Sequence, residues 1–498
     1  LLATIVAGIY LVASVLVATY ALSQAHLLWT WLRHPVPGER ALPADDALPI
    51  VTLQLPFFNE RAVAPRLMRA VAALDWPRDK LQLQVLDDSL DDTVQRVDQA
   101  AEELRAQGVW VDVVRRTERT GYKAGALAHG LETAAGAFVG VFDADFIPEG
   151  DFLRRTMPWF LGEDAERRAL VQARWGWIND RHSLLTRVQA LQLDAHFTME
   201  QHARSHGGLL MSFNGTAGIW RRAAIDDAGG WSDDTLVEDL DLSYRAQLKG
   251  WELFYLDGVE APSELPAEMG AIRTQQHRWM KGGAQVARKL LPTVWRSSLP
   301  LRRKLQGTAH LVSSSVYLAV LTLCLVGPGI VLLDDAFSEP AKVTLLVSGV
   351  LLAQSLVILF GFYVATAVRR GGVGGGLLRL AWGFPAFLSL SAGMSVHDSL
   401  AVVEGWMGRK SPFVRTPKIG DEGEAYIRRR APITVWIELA VAAWGLLGAW
   451  VALGSPQPMR ALFLVAQAAG FATIAAVSLW HARPRPAPGS VAAQSVSR

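Results

Sequence analysis

The chemistry in this chain starts at Asp143-Ala144-Asp145. Residues two apart on an extended segment point to the same side, so both carboxylates can grip one cation. Hard carboxylate oxygens suit Mg²⁺ or Mn²⁺, ions that bridge a diphosphate. A lone Asp-x-Asp more often caps a turn. Here a second acid cluster, Asp87-Asp88-Ser89, also closes an apolar run. Two such clusters at successive strand ends point toward a nucleotide site. Gly121-Tyr122-Lys123-Ala124-Gly125 reads as a turn opening a helix, with Lys123 placed to meet a phosphate. It lacks the Gly-Lys-Ser/Thr of a Walker motif. Val237-Glu238-Asp239 precedes a helix whose Leu240, Leu242 and Tyr244 face a core, although the helix dipole alone also favours acids there. Gln275, Arg278 and Trp279 put an amide, a guanidinium and an indole within about two helical turns. That trio suits a sugar and a phosphate; taken singly, a packed Trp beside a snorkelling Arg is the commoner pattern.

Other candidates carry less. His202 and His206 stand four apart on a helix, but no HExxH pattern or third ligand accompanies them, so a metal site there is set aside. Trp175 and Trp177 could be sugar platforms, and packing is the plainer explanation.

The elements that must position these residues follow from apolar patterning. Ile50–Leu55, Leu81–Leu86, Val109–Val114 and Phe138–Phe142 alternate with longer helix-like stretches. That spacing predicts βαβ units and a mostly parallel sheet covered by helices. Ligands of such sheets bind at the carboxyl ends of the strands, where the acids lie.

The composition divides the chain. Of 498 residues, 51% are apolar and 19% charged, the net charge is +2, and mean hydropathy is +0.20. Leu1–Leu32, Leu305–Leu333, Val343–Val368, Leu439–Met459 and Ala461–Ala482 contain no Lys, Arg, Asp or Glu, and each is long enough to span a bilayer. Charges are frequent between Arg33 and Lys304, as expected of a soluble domain. The first run is too long for a signal peptide and lacks a basic start. Cys324 is the single cysteine, so no disulfide framework or cysteine zinc site forms. The balance of charge gives no sign of nucleic-acid binding. No inverted halves like those of transporters are visible. A disulfide-rich module, a disordered chain and a simple soluble enzyme are excluded.

Basic residues beside the apolar runs set orientation. Arg33, Arg40, Arg302, Arg303 and Lys304 place the domain between them in the cytoplasm. Residues 377–403 are harder: as a full span they would export Arg409, Lys410, Arg415, Lys418 and Arg428–Arg430. We read 377–407 as an amphipathic or re-entrant interfacial element, with Arg379, His397, Asp398 and Glu404 suited to an interface. The expected tally is about five spans, with the N-terminus outside and the C-terminus inside.

In order, Asp87-Asp88, Asp143-Ala144-Asp145, Glu238-Asp239 and Gln275…Arg278-Trp279 resemble the D, DxD, [T/V]ED and QxxRW set of family-2 glycosyltransferases, in its processive membrane-embedded branch. The closer resemblance is to plant cellulose-synthase-like mannan and glucan synthases and their bacterial relatives. It is carried by LPFFNE (55–60), QVLDDSLDDT (84–93), RTGYKAGAL (119–127), VFDADF (141–146), VQARW (171–175), FNGTAGIWR (213–221), VEDLDLSYRAQLKGW (237–251) and QQHRW (275–279).

The resemblance implies an α/β GT-A-type, Rossmann-like cytoplasmic domain at 34–290, joined to an α-helical bundle. The remaining segments are a span at 1–32, an interfacial segment at 291–304, two spans at 305–370, an interfacial element and gating loop at 377–430, two spans at 431–482, and a disordered tail at 483–498. It implies that Glu60, Asp87 and Asp88 hold the nucleotide's base and ribose, and that Lys123 pairs with the diphosphate. Asp143 and Asp145 would coordinate Mg²⁺ or Mn²⁺. Asp239 would be the general base, with Glu238 beside it. Phe213, Asn214 and Gly215 would lie near the acceptor. Gln275, Arg278 and Trp279 would line the acceptor site, with Trp279 stacked on the terminal sugar and Arg278 neutralising the leaving diphosphate. Phe413-Val414-Arg415-Thr416-Pro417-Lys418 looks like the family's FxVTxK gating loop, with Arg415 where the family has Val, and Thr416 and Lys418 near the substrate. The alternative for this segment is a basic juxtamembrane stretch touching anionic lipid.

One catalytic Asp and no enzyme nucleophile mean single displacement with inversion; retention needs a second poised carboxylate. The expected activity is an inverting hexosyltransferase that polymerises a β-linked glucan or mannan from a nucleotide sugar and extrudes it, in a bacterial inner membrane. RTGYKAG leans toward UDP-glucose, with GDP-mannose as the other donor. The alternatives are transfer of one sugar to a membrane lipid, and an inactive scaffold or transporter.

Overall fold

The computed structural model describes residues 2–162, 165–411, 414, 431–455 and 457–482. Among the described residues, seven strands form one sheet: β1 Val51–Phe57, β2 Leu81–Asp87, β3 Trp110–Val114, β4 Phe138–Val141, β5 Arg168–Trp177, β6 Gly218–Arg221 and β7 Glu252–Ser263. Their order is β3-β2-β1-β4-β6-β5-β7. The first four strands pair in parallel, in the regions the apolar runs indicate. β6 runs antiparallel to both β4 and β5, so the sheet is mixed. The sheet extends one way from β1 through β2 to β3, and the other way through β4. Strand order therefore reverses beside β1 and leaves a crevice at the carboxyl ends of β1, β2 and β4.

Both faces of the central strands are covered, and β2 is buried along its whole length. Val51, Leu53, Leu55 and Phe57 enter one apolar core with Leu83 and Val85. The opposite face of β1 and β2 carries a polar ladder. Thr52 Oγ1 donates to Gln82 Oε1 at 2.6 Å, Gln54 Nε2 to Gln84 Oε1 at 2.9 Å, and Gln84 Nε2 to the Gly130 carbonyl at 2.8 Å. A paired ladder of this kind fixes its neighbours in one arrangement. Here it seats the Tyr122–Leu131 helix, and Gly130 is needed because a Cβ there would stand 2.5 Å from Gln54 Nε2.

Among the described residues, five helices are long and apolar enough to cross a membrane: Leu2–Arg33, Ser313–Leu332, Glu339–Trp406, Thr434–Leu453 and Met459–His481. The third is broken at Gly372, whose φ of 69° and ψ of 175° are not helical. Residues 373–406 form a helix with Leu380, Phe384, Met394 and Val402 buried. The Gly393 face lies so close to Gly470 that a Cβ would stand 2.5 Å from the Gly470 carbonyl oxygen, the close approach small residues allow between apolar helices.

Candidate active site

A cleft of about 1200 Å³, counting space open to solvent, lies over the carboxyl ends of β1, β2 and β4. Its acids come from several elements. Asp143 and Asp145 follow β4, Asp88 follows β2, and Glu238 and Asp239 open the Glu238–Leu248 helix. Glu60, in the loop after β1, is buried at the cleft wall. That loop is clipped to the one after β2: Asn59 N–H donates to Ser89 Oγ at 2.9 Å, and Leu90 N–H donates to Asn59 Oδ1 at 2.8 Å.

Lys123 lies at the centre of the acids. Gly121 turns the chain in the left-handed region at φ 70°, and the helix then begins at Tyr122. Lys123 Nζ donates to Asp143 Oδ1 at 2.6 Å and to the Gly215 carbonyl at 2.9 Å, with Glu238 Oε1 at 3.9 Å. Burial works against the ammonium, yet Asp143, Glu238 and Asp239 hold its pKa above the ordinary lysine value. Asp239 shows the opposite balance. Desolvation and the Glu238 carboxylate raise its pKa, against Lys123, the Leu240 N–H and Arg278, which lower it. Asp239 Oδ1 accepts that Leu240 N–H at 2.7 Å. Its other oxygen faces Gly215, where an added Cβ would stand 2.8 Å away and φ is +82°, so only glycine fits. A carboxylate raised in this way keeps its affinity for a proton, which is what a base needs.

The facing wall is the Met269–Arg296 helix, from which Gln275, Arg278 and Trp279 line the cleft. Their i, i+3, i+4 spacing places them on one helical face.

The structure separates some residues that the sequence groups. Asp87 is 2% exposed and is not among the cleft-lining residues; Arg115 Nε donates to its Oδ2 at 3.0 Å. Asp88 lines the cleft and pairs with Arg116, so the adjacent acids face opposite ways as strand alternation requires. Phe213 is buried against Trp220 at 5.8 Å and supports the turn from below, while Asn214 and Gly215 reach the cleft. Thr416 and Lys418, with most of the gate-like segment, lie outside the described residues.

Other residues join the site without having been singled out for it. Arg119 lines the cleft with its guanidinium 3.4 Å from the Phe58 ring centroid, and Phe58 lines it too. Both sit inside segments that carry the resemblance, which was the available signal. Trp175 and Trp177, weighed in the sequence as sugar platforms but read as packing, also line the cleft, and Trp177 Nε1 donates to Asp194 Oδ1 at 2.9 Å. His202 and His206 are elsewhere, their Nε2 atoms on the carbonyls of His34 and Tyr255 at 2.8 and 3.1 Å.

The donor set fits a divalent cation. Asp143 and Asp145 offer hard oxygens on the cleft wall, and the Asp143 carboxylate already holds a cationic group. No group of three or more His, Cys, Asp or Glu side chains is gathered for a metal among the described residues. Mg²⁺ and Mn²⁺ suit this, since such ions take one or two carboxylates plus phosphate and water oxygens.

Residues 49–282 match the family described as "Glycosyltransferase like family 2". The chain is 35% identical over 473 residues to glucomannan 4-beta-mannosyltransferase 1 of Oryza sativa subsp. japonica, covering 88% of this chain and 84% of that protein. It is 45% identical over 267 residues to glucomannan 4-beta-mannosyltransferase 2 of Arabidopsis thaliana, covering 53% of this chain and 49% of that one. Among solved structures, the mannosyltransferase PcManGT from Pyrobaculum calidifontis in complex with GDP-Man and Mn²⁺ is similar in fold, with TM-score 0.51 and 20% identity over 80% of this chain and 100% of that one. These relatives are named as mannosyltransferases, which gives no support to the lean toward UDP-glucose drawn from RTGYKAG. The two curated relatives are plant proteins and give no support to a bacterial inner membrane.

Proposed function

We propose, for a chain that belongs to glycosyltransferase family 2, that it polymerises a β-linked mannan-type glycan from GDP-mannose by inverting transfer and passes the product along its apolar helices. The enzyme is a hexosyltransferase of this family. The observation that carries the reading is the Asp239 carboxylate, set in the cleft against the Gly215 turn with its pKa raised.

In this reading the acceptor sugar enters beside Asn214 and Gly215 and stacks on Trp279, with Gln275 bonded to its hydroxyls. Its attacking oxygen gives its proton to Asp239 as it bonds to the anomeric carbon of the donor. The bond from that carbon to the diphosphate breaks and the electron pair leaves with the diphosphate. One base and one displacement invert the anomeric configuration, so an α-linked donor yields a β-link. Lys123 and Arg278 balance the charge that develops on the diphosphate. Asp143 and Asp145 would hold Mg²⁺ or Mn²⁺, which supplies further charge neutralisation at the diphosphate. Glu60 and Asp88, with Arg119 beside them, bind the nucleoside end. Asp87 supports that loop through Arg115 rather than by touching the donor. The clusters of Arg and Lys at 302–304 support a cytoplasmic cleft, the side on which nucleotide sugars are available.

A donor panel decides the matter. The full chain, purified in detergent with Mn²⁺ or Mg²⁺, is given labelled GDP-mannose or UDP-glucose, and its products are sized. A ladder of mannose polymers from GDP-mannose is expected. A single organic-soluble glycolipid overturns the polymerase reading, and incorporation from UDP-glucose alone overturns the donor.

A further inference from the structure

A π-helical turn, His196–Gln201, interrupts the helical run between Leu184–Ala195 and His202–His206. Such turns insert a wider step into a helix and are frequent at functional sites. This one sets His196 and Glu200 side by side, with ring Nδ1 2.8 Å from carboxylate Oε2. The other carboxylate oxygen accepts a 2.7 Å bond from Nε2 of Gln24, on the apolar helix Leu2–Arg33. Across the ring, His196 Nε2 lies 3.0 Å from Asn214 Nδ2. Asn214 lines the cleft next to Gly215. A line of polar contacts therefore runs from the first apolar helix to the wall of the active site.

One arrangement of protons satisfies that line. Burial opposes a charge on Glu200, but the hydrogen bond from His196, with Arg204 and Gln24, holds its pKa below the ordinary glutamate value. An ionised carboxylate only accepts hydrogen bonds, so His196 donates from Nδ1, and a neutral ring whose Nε2 keeps a lone pair is the form that matches the Asn214 amide nitrogen facing it. Asn214 then donates to that lone pair through its amide nitrogen. Its amide oxygen accepts from Nε2 of Gln201, which also donates to the Ser212 carbonyl at 2.8 Å. The Gln201 donor removes the two-fold ambiguity of the Asn214 amide. The second N–H of Asn214 has no partner among the described residues and remains for a ligand in the cleft.

We propose that Glu200 and His196 are positioning residues that hold the Asn214 amide as a hydrogen-bond donor to a hydroxyl of the acceptor sugar, with Gln24 joining this device to the first apolar helix. The inference rests on the reading of the cleft as a glycosyl-transfer site. A donor already oriented needs no reorganisation when the acceptor arrives, so its loss falls on use of the acceptor and not on the nucleotide.

The test uses the full chain in detergent with Mn²⁺, GDP-mannose and a β-mannan oligosaccharide acceptor. Asn214→Ala and His196→Ala are each expected to raise the acceptor KM about tenfold, with GDP-mannose binding changed by less than about twofold. The double variant is expected to be no worse than Asn214→Ala alone, because both changes remove one interaction. His196→Gln retains an acceptor atom near the Nε2 position and is expected to recover most of the loss. Effects that multiply in the double variant, or a loss of nucleotide binding as large as that of acceptor, overturn the proposal.

A second readout does not depend on turnover. In ¹⁵N-histidine-labelled protein, with His196 assigned by its disappearance in His196→Gln, the Nδ1-protonated tautomer is expected. It is expected to be lost in Glu200→Ala, which removes the acceptor that holds the Nδ1 proton. An Nε2-protonated ring in the unaltered protein overturns the proposal even if transfer is normal. No transfer from any nucleotide sugar, with the Nδ1 tautomer in place, instead overturns the reading of the cleft and the acceptor role with it.

Discussion

The two walls of the cleft are built by different means. One wall consists of residues within a few positions of a strand end, and the order of the sheet alone brings Glu60, Asp88, Asp143 and Asp145 together. The other is the Met269–Arg296 helix, which is anchored in the apolar helices. Arg273, two residues before Gln275, is 5% exposed and donates to Glu438 Oε2 at 2.8 Å and to Ser478 Oγ at 3.0 Å. The Arg273 carbonyl receives His397 Nε2 at 2.9 Å, and Lys281 Nζ donates to Glu404 Oε2 at 2.8 Å. Met269 N–H donates to His481 Nδ1 at 3.0 Å. In the proposed reading, the wall that takes the donor is thus a property of the sheet, whereas the wall that faces the acceptor is a property of helix packing. Disturbance of the apolar half should reach the acceptor first.

The hardest test of that division is the group standing between the walls. Asp239→Asn is expected to reduce transfer by about 10³-fold while nucleotide binding, read by titration calorimetry, stays close to that of the parent. Substantial polymer from this variant would remove Asp239 from the chemistry. Next in size is Arg273→Ala. It leaves Glu438 buried without its cation, which costs about 3–5 kcal/mol and shows as a lower midpoint of thermal unfolding. In whatever fraction remains folded, acceptor KM should rise more than nucleotide Kd. Equal damage to both would erase the distinction between the walls. The paired change Arg273→Met with Glu438→Leu removes both charges and should restore much of the stability without restoring acceptor use.

The smallest effect is a pH dependence. The base form of Asp239 is lost as pH falls through its pKa, which desolvation and Glu238 raise to about 7. kcat/KM is therefore expected to fall about tenfold per unit on the acid side of neutrality, and not to hold until pH 4. Glu238→Gln removes a repelling charge and should move that limb to lower pH. An unmoved limb would assign it to another group.

How much was legible follows from how local each feature is. β1 to β4 stand close to their apolar runs, because the apolar residues of each strand face the core, while Thr52, Gln54, Gln82 and Gln84 between them pair with one another. β6 is four residues long and antiparallel, and its direction depends on the partners it finds. Asp87 and Asp88 read alike in the chain, yet alternation turns one to Arg115 and the other to the cleft. Phe213 reads as part of the acceptor mouth, but only its neighbours Asn214 and Gly215 reach the cleft. Arg119 was within a recognised segment and its place over Phe58 was not visible, since the two belong to separate loops.

By itself the sequence determined the division into a charged half and an apolar half, the order of the acid clusters and the family to which they belong. These rest on composition, short-range periodicity and contiguous motifs, all carried by neighbours in the chain. Tertiary structure alone decided which acids meet Lys123, that Arg273 is held by Glu438 165 positions away, and that Gln24 meets Glu200 across 176 positions. A hydrogen bond requires approach within about 3 Å at a defined angle. For residues so far apart, that approach is set by the stacking of whole elements, which no local pattern encodes.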